Sequence, residues 1–264
     1  MTAMADLELL GDLRDEQDAL DAVVAGMSDA DWDAPTPSPG WTVRDQIGHL
    51  TYFDGSATVA ITAPDEFNAS FDELLNGDGT LDDATLHRHL SAGDLIDRWR
   101  SNRSTLLAAA ATLDERDRVR WYGPSMGAKS FVTARLMEIW AHGQDVVDAL
   151  GASRPVTDRL AHIVRLGFIT RGWTYMNRGE DLPVGDIRLE LTAPSGAVWR
   201  HGDDAAPEVV SGPALDFCLV VTQRRHVDDT SLDISGDAAR DWLVKAQAFA
   251  GPPTDGPRPS AGDA

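Results

Sequence analysis

Glu138, His142 and Asp145 recur at spacings of four and three in the stretch 135–145. On a helix of 3.6 residues per turn, that spacing sets the three side chains within about a 60° arc. An apolar arc of Val132, Leu136, Ile139, Val146, Val147 and Leu150 lies directly beside it. Acid and imidazole groups flanking a core-facing arc need a partner, and His49 is the best candidate. It sits at the edge of a second apolar arc formed by Val43, Ile47, Leu50, Ala57 and Ile61. Bundle helices pack about 8–10 Å apart, so donors on facing edges can converge on one ion with bonds near 2.0–2.2 Å. Two imidazoles and a carboxylate, His49, Glu138 and His142, make a three-ligand zinc set with a fourth position open. Asp145, one turn beyond His142, is placed to orient a ligand imidazole or to take a proton beside the ion. The same spacing also fits a surface pair that supports its own helix, and a lone histidine bonded to a carbonyl or carboxylate. The residues by themselves leave both readings open.

The elements that must position these groups follow from periodicity. Residues 5–27 read as an amphipathic helix, and Ser28 caps a short turn through Trp32. Thr42, with Asp45 at the capping-box position, starts a helix running to about Ile61. Residues 64–86 read as a long connection with one helical turn. Ser91 and Asp94 open a third long helix that ends near Leu113, and a fourth covers about 129–150, stopping at Gly151. A fifth spans about 157–179. After Pro183 the period changes: Ile187, Leu189 and Leu191 alternate with polar residues, and Pro194-Ser195-Gly196 turns the chain into Val198–Arg200, a hairpin. Strands over 207–211 and 232–235 and helices over 213–225 and 237–250 complete the reading. The expected layout is a mainly α protein: a helical bundle over 1–180, a small α+β domain over 184–250, and a disordered tail over 251–264.

At 264 residues the chain has ample length for a core. Its formal charge of −20 argues against nucleic acid or an anionic membrane as a partner, since both require concentrated positive charge. No apolar run reaches membrane-spanning length, the N-terminal residues lack the pattern of a signal peptide, and Cys218 is the one cysteine. A cytoplasmic location is expected. Composition sets no oligomeric state.

Trp41-Thr42-Val43-Arg44-Asp45-Gln46-Ile47-Gly48-His49-Leu50 resembles the signature of the DinB-like metal-binding proteins, and more narrowly the mycothiol-dependent maleylpyruvate isomerase N-terminal family. His49, Glu138, His142 and Asp145 match that family's motif positions in order, over a resemblance covering about 5–175. It implies a DinB-like four-helix bundle with an extra helix that binds a divalent metal, usually zinc, followed by a sterol-carrier-like C-terminal domain. It also implies mycothiol, or a related low-molecular-weight thiol, as cosubstrate.

Zinc deprotonates a coordinated thiol, so the expected activity is thiol S-transfer to a small electrophile, or its isomerisation if the thiol leaves again. Two alternatives use the same ligands: a module that binds metal and a small ligand without chemistry, and thiol-independent metal-assisted hydrolysis. Arg224 and Arg225, near the end of the 213–225 helix, are candidates to hold a carboxylate on substrate or thiol. The resembled isomerase uses an arginine from this domain, while a helix-end pair complementing the dipole is the plainer reading. Arg100 and Arg103 are further anion-holding candidates. Cys218 lies in an apolar run and reads as packing.

Overall fold

A computed structural model of the protein describes residues 7–76 and 86–260. The chain divides into two compact units, Met1–Arg154 and Pro155–Ala264.

In the first unit, α1 (Leu7–Val24), α2 (Val43–Thr62), α4 (Ala92–Ala110) and α5 (Ala128–Leu150) pack as a four-helix bundle. α2 lies against α4 and α5, and α1 against both as well. Leu13, Leu20, Ile47, Leu50, Trp99 and Phe131 are fully buried along the inward stripes, the usual consequence of apolar residues recurring at helical spacing. The start of α2 is fixed by the expected capping box. The Asp45 amide donates to the Thr42 hydroxyl at 3.4 Å, and the Thr42 amide donates back to the Asp45 carboxylate at 2.8 Å. α5 stops where Gly151 adopts a left-handed conformation (φ 58°). No described helix is long and apolar enough to cross a membrane.

The connection expected over 64–86 is instead helical in its first part, α3 (Pro64–Asn76). Proline suits the first turn, and Asp65 and Glu66 complement the helix dipole there. Phe67 and Phe71, one turn apart, then stack at 6.1 Å, and Phe67 stacks on Trp121 at 5.7 Å. Residues 77–85 of that connection lie outside the described residues. Two short antiparallel strands, β1 (Arg118–Val119) and β2 (Met126–Gly127), close the loop holding Trp121 and Tyr122.

The second unit begins earlier than the expected boundary near 180. The single helix expected over 157–179 is two, α6 (Leu160–Ile169) and α7 (Arg171–Arg178), broken at Thr170, whose hydroxyl bonds back to the Leu166 carbonyl at 2.8 Å. α6 packs on α8 (Ala214–Val221) and α7 on α9 (Asp237–Lys245), so both belong with the α+β fold. β3 (Ile187–Thr192), β4 (Val198–His201), β5 (Glu208–Pro213) and β6 (Asp233–Ser235) form one sheet in the order β4-β3-β5-β6. The β3–β4 hairpin is antiparallel, β3–β5 parallel and β5–β6 antiparallel.

α8 and α9 are shorter than expected. Gln223 turns left-handed (φ 58°), and the backbone is extended at Ala246. Disorder was expected from residue 251. Residues 251–260 carry no helix or strand but are held by Arg178, which reaches Asp255 at 3.2 Å, and by Asp229, which accepts from the Ser260 amide at 2.9 Å. Residues 261–264 lie outside the described residues.

Candidate metal centre

The two ligand-bearing helices face each other inside the first unit. His49 comes from α2, Glu138 and His142 from consecutive turns of α5, and one donor atom from each lies within 4.8 Å of the others. Glu138 Oε2 is 3.2 Å from His142 Nε2 and 3.8 Å from His49 Nε2. A tetrahedral ion with bonds near 2.1 Å spaces its ligand atoms about 3.4 Å apart, which these separations bracket. The donor set and its spacing fit a divalent cation of the zinc type.

Both imidazoles are buried, 9% and 8% exposed, with ring centroids 4.1 Å apart. Trp41 covers them at 5.5 Å from His49 and 5.9 Å from His142, and Phe53 closes on His49 at 4.4 Å. Burial alone would raise the Glu138 carboxyl, but the His142 and His49 imidazoles beside it hold it well below the usual carboxylate range. Glu138 is therefore anionic at neutral pH.

Sequence reasoning passed over the groups behind these donors. Gln46, fully buried one turn before His49, places its Oε1 2.5 Å from His142 Nδ1. Its Nε2 donates to the Thr36 hydroxyl at 3.0 Å, and that hydroxyl donates to the Trp41 carbonyl at 3.0 Å. The signal was present, since Gln46 and His49 are three apart on the same helix. Asp54 on α2 and Arg135 on α5 form a second buried contact at 3.4 Å, with the guanidinium over the Trp121 ring.

Asp145 is buried and accepts from the Ser38 hydroxyl at 3.1 Å. Arg224 and Arg225 follow α8 in the second unit, where the Arg224 side chain donates to the Thr222 carbonyl at 2.7 Å. Arg100 and Arg103 are not free to hold an anion: they pair with Asp21, and Arg103 also with Asp18, tying α4 to α1. Cys218 is fully buried in packing, and burial pushes its thiol up. A cavity of about 610 Å³ in the first unit is lined by Tyr52, Ser56, Phe67, Phe71, Arg98 and Tyr122 among others, and by none of the three donors. Phe53 touches His49 and also Tyr52 and Tyr122.

The family model for the mycothiol maleylpyruvate isomerase N-terminal domain matches residues 13–147, which carry all three donors. The chain belongs to this family. Among its relatives are two uncharacterised proteins of Mycobacterium tuberculosis, from strains CDC 1551 / Oshkosh and ATCC 25618 / H37Rv. Each is 43% identical over 253 residues, covering 94% of this chain and 97% of the relative. Two crystal structures of mycothiol-dependent maleylpyruvate isomerase, one a histidine-to-alanine mutant, share the fold. They superpose with TM-scores of 0.56 (the mutant, 20% identical) and 0.55 (19% identical), each match covering 89% of this chain and 96% of theirs.

Proposed function

We propose that the protein is a thiol-dependent enzyme that isomerises a small electrophilic substrate, with mycothiol or a related thiol as cosubstrate. His49, Glu138 and His142 are the residues that would hold a zinc ion. The observation that carries the reading is their convergence within 4.8 Å, in a chain whose family is that of the mycothiol maleylpyruvate isomerase N-terminal domain. Bound there, zinc would lower the pKa of a coordinated thiol so that it is held as its thiolate at neutral pH, the nucleophile that isomerisation of an activated alkene requires.

The protein's own residues do the rest. Glu138 contributes the negative charge that, with two neutral imidazoles, leaves about one positive charge to favour an anionic sulfur. Trp41 and Phe53 wall the donors from water and so strengthen every charge interaction between them. Asp145, one turn beyond His142, would take or return a proton in the reaction. Arg224 and Arg225 hold a substrate or thiol carboxylate. The 610 Å³ cavity, linked to His49 through Phe53 and the lining Tyr52 and Tyr122, offers room for a small molecule.

The test is incubation of zinc-loaded protein with mycothiol and a maleyl compound such as maleylpyruvate, following the cis-to-trans change. Turnover that needs the thiol and disappears in His142→Ala is expected. Turnover without thiol would replace the reading with hydrolysis, and zinc binding with no turnover on any thiol would reduce it to a binding module.

A further inference from the structure

The chain of hydrogen bonds behind His142 runs from the ring toward the Trp41 carbonyl. It ends at the Trp41 carbonyl, which can only accept. The Thr36 hydroxyl lies 3.0 Å from that oxygen and 3.5 Å from the Ser38 carbonyl. Both carbonyls are acceptors, and the hydroxyl donates its one hydrogen to the nearer, that of Trp41. What it turns toward Gln46 is therefore a lone pair. The Gln46 amide must then point its NH₂ at Thr36, 3.0 Å away, and its Oε1 at His142 Nδ1, 2.5 Å away. An amide is ordinarily free to flip its nitrogen and oxygen, but the reversed amide would need the hydroxyl hydrogen that Thr36 gives to the Trp41 carbonyl, which favours the orientation seen here. Since Oε1 only accepts, Nδ1 must carry a hydrogen. A neutral His142 consequently keeps its lone pair on Nε2, the atom that faces Glu138 at 3.2 Å.

We propose that Gln46 is a positioning residue that, with Thr36, locks His142 in the Nδ1–H form and so reserves Nε2 for a cation shared with His49 and Glu138. The inference rests on the metal reading above. Gln46 and His49 share one helix, so the same rigid turn of α2 that presents one ligand imidazole also orients the other, which is carried by α5. Without a cation, two lone-pair-bearing atoms, Nε2 and Glu138 Oε2, would oppose each other at 3.2 Å unless a second proton lay between them. A divalent ion takes that proton's place.

The experiment is zinc competition with a colorimetric chelator, run alongside ¹⁵N NMR of the His142 ring, on the full chain and three variants. Gln46→Leu should bind zinc about 10–100-fold more weakly. Gln46→Glu, which keeps an acceptor toward Nδ1, should bind within a few-fold of the parent or more tightly. Thr36→Val, which frees the amide to flip, should weaken binding and blur the single Nδ1–H signature while leaving every ligand in place. A purely structural role would lower the melting temperature of Gln46→Leu without changing its zinc affinity, and that result overturns the proposal. So does a zinc-loaded parent whose His142 carries its hydrogen on Nε2. A parent chain that takes up no zinc overturns the metal reading itself, whereas a parent that binds while Gln46→Leu binds equally well overturns this inference alone.

Discussion

Asp54 and Arg135 meet at 3.4 Å between α2 and α5, each side chain less than 5% exposed. Burial pushes the Asp54 carboxyl from its ordinary 3.8 up to about 6, with the Arg135 charge offsetting part of the effect. A carboxyl whose folded value is raised binds its proton more tightly in the folded state. The stability it confers is full below about pH 4 and is lost as pH rises through about 6, by up to about 1.4 kcal/mol per pH unit. In chelator-treated protein, the urea midpoint should show this fall between pH 4 and 6, and Asp54→Asn should flatten it. An unchanged profile in the variant would place the titration elsewhere.

Zinc should behave as a stabilising ligand. At a hundred times its dissociation constant it adds about 2.7 kcal/mol, seen as a rise in melting temperature that a chelator reverses. His49→Ala and Glu138→Gln should each abolish the rise while the apo melting temperatures stay close to that of the parent. A rise that survives both substitutions would locate the ion away from these donors.

Gly48 tests how the helix bearing His49 is packed. A Cβ there would meet the Leu86 backbone oxygen at 2.3 Å, and a main-chain atom cannot swing aside. Gly48→Ala should cost about 1–3 kcal/mol, read by urea denaturation. Gly11, inside α1 with no neighbour near its absent Cβ, is the contrast. Gly11→Ala should gain about 0.5–1 kcal/mol.

Asp145→Asn separates proton transfer from metal holding. Zinc content should stay at the parent level while turnover falls by about 10²–10⁴-fold. Loss of zinc in this variant would make Asp145 part of the ligand framework instead.

Arg224→Ala with Arg225→Ala should raise KM for a carboxylate-bearing substrate by about tenfold or more and leave zinc binding alone, as expected for loss of charged hydrogen bonds worth about 1.5–3 kcal/mol. An unchanged KM would leave Arg224 as a side chain that bonds the end of its own helix, through the Thr222 carbonyl.

Much of this architecture was legible in the chain because it obeys local rules. The Thr42–Asp45 box, the Gly151 stop and the alternation at Ile187–Leu191 are short-range signals, and each marks an observed element boundary or strand. The stripe of Glu138 and His142 was readable from helical spacing, and His49 from its place on a facing edge. What escaped depends on contacts far apart in sequence. α3 was hidden because Pro64 reads as punctuation, and its apolar face is explained only once Trp121 is known to stack on Phe67. Gln46 escaped notice because its partners, Thr36 and His142, are 10 and 96 residues away. Arg100 and Arg103 looked available for an anion because no local pattern announces Asp18 and Asp21 on α1. Arg88 is similar: it grips Asp45 in a bidentate pair across 43 residues.

Trp41 serves the donors twice, with an indole laid over the imidazoles and a carbonyl that receives the Thr36 hydroxyl. The two contributions answer to different kinds of change. Any residue type would bring the same carbonyl, so drift at this position can reshape the roof without reversing the direction in which hydrogens are passed beneath it. The anchor of that ordering is written into the main chain, out of reach of point mutation at position 41 unless the backbone itself moves.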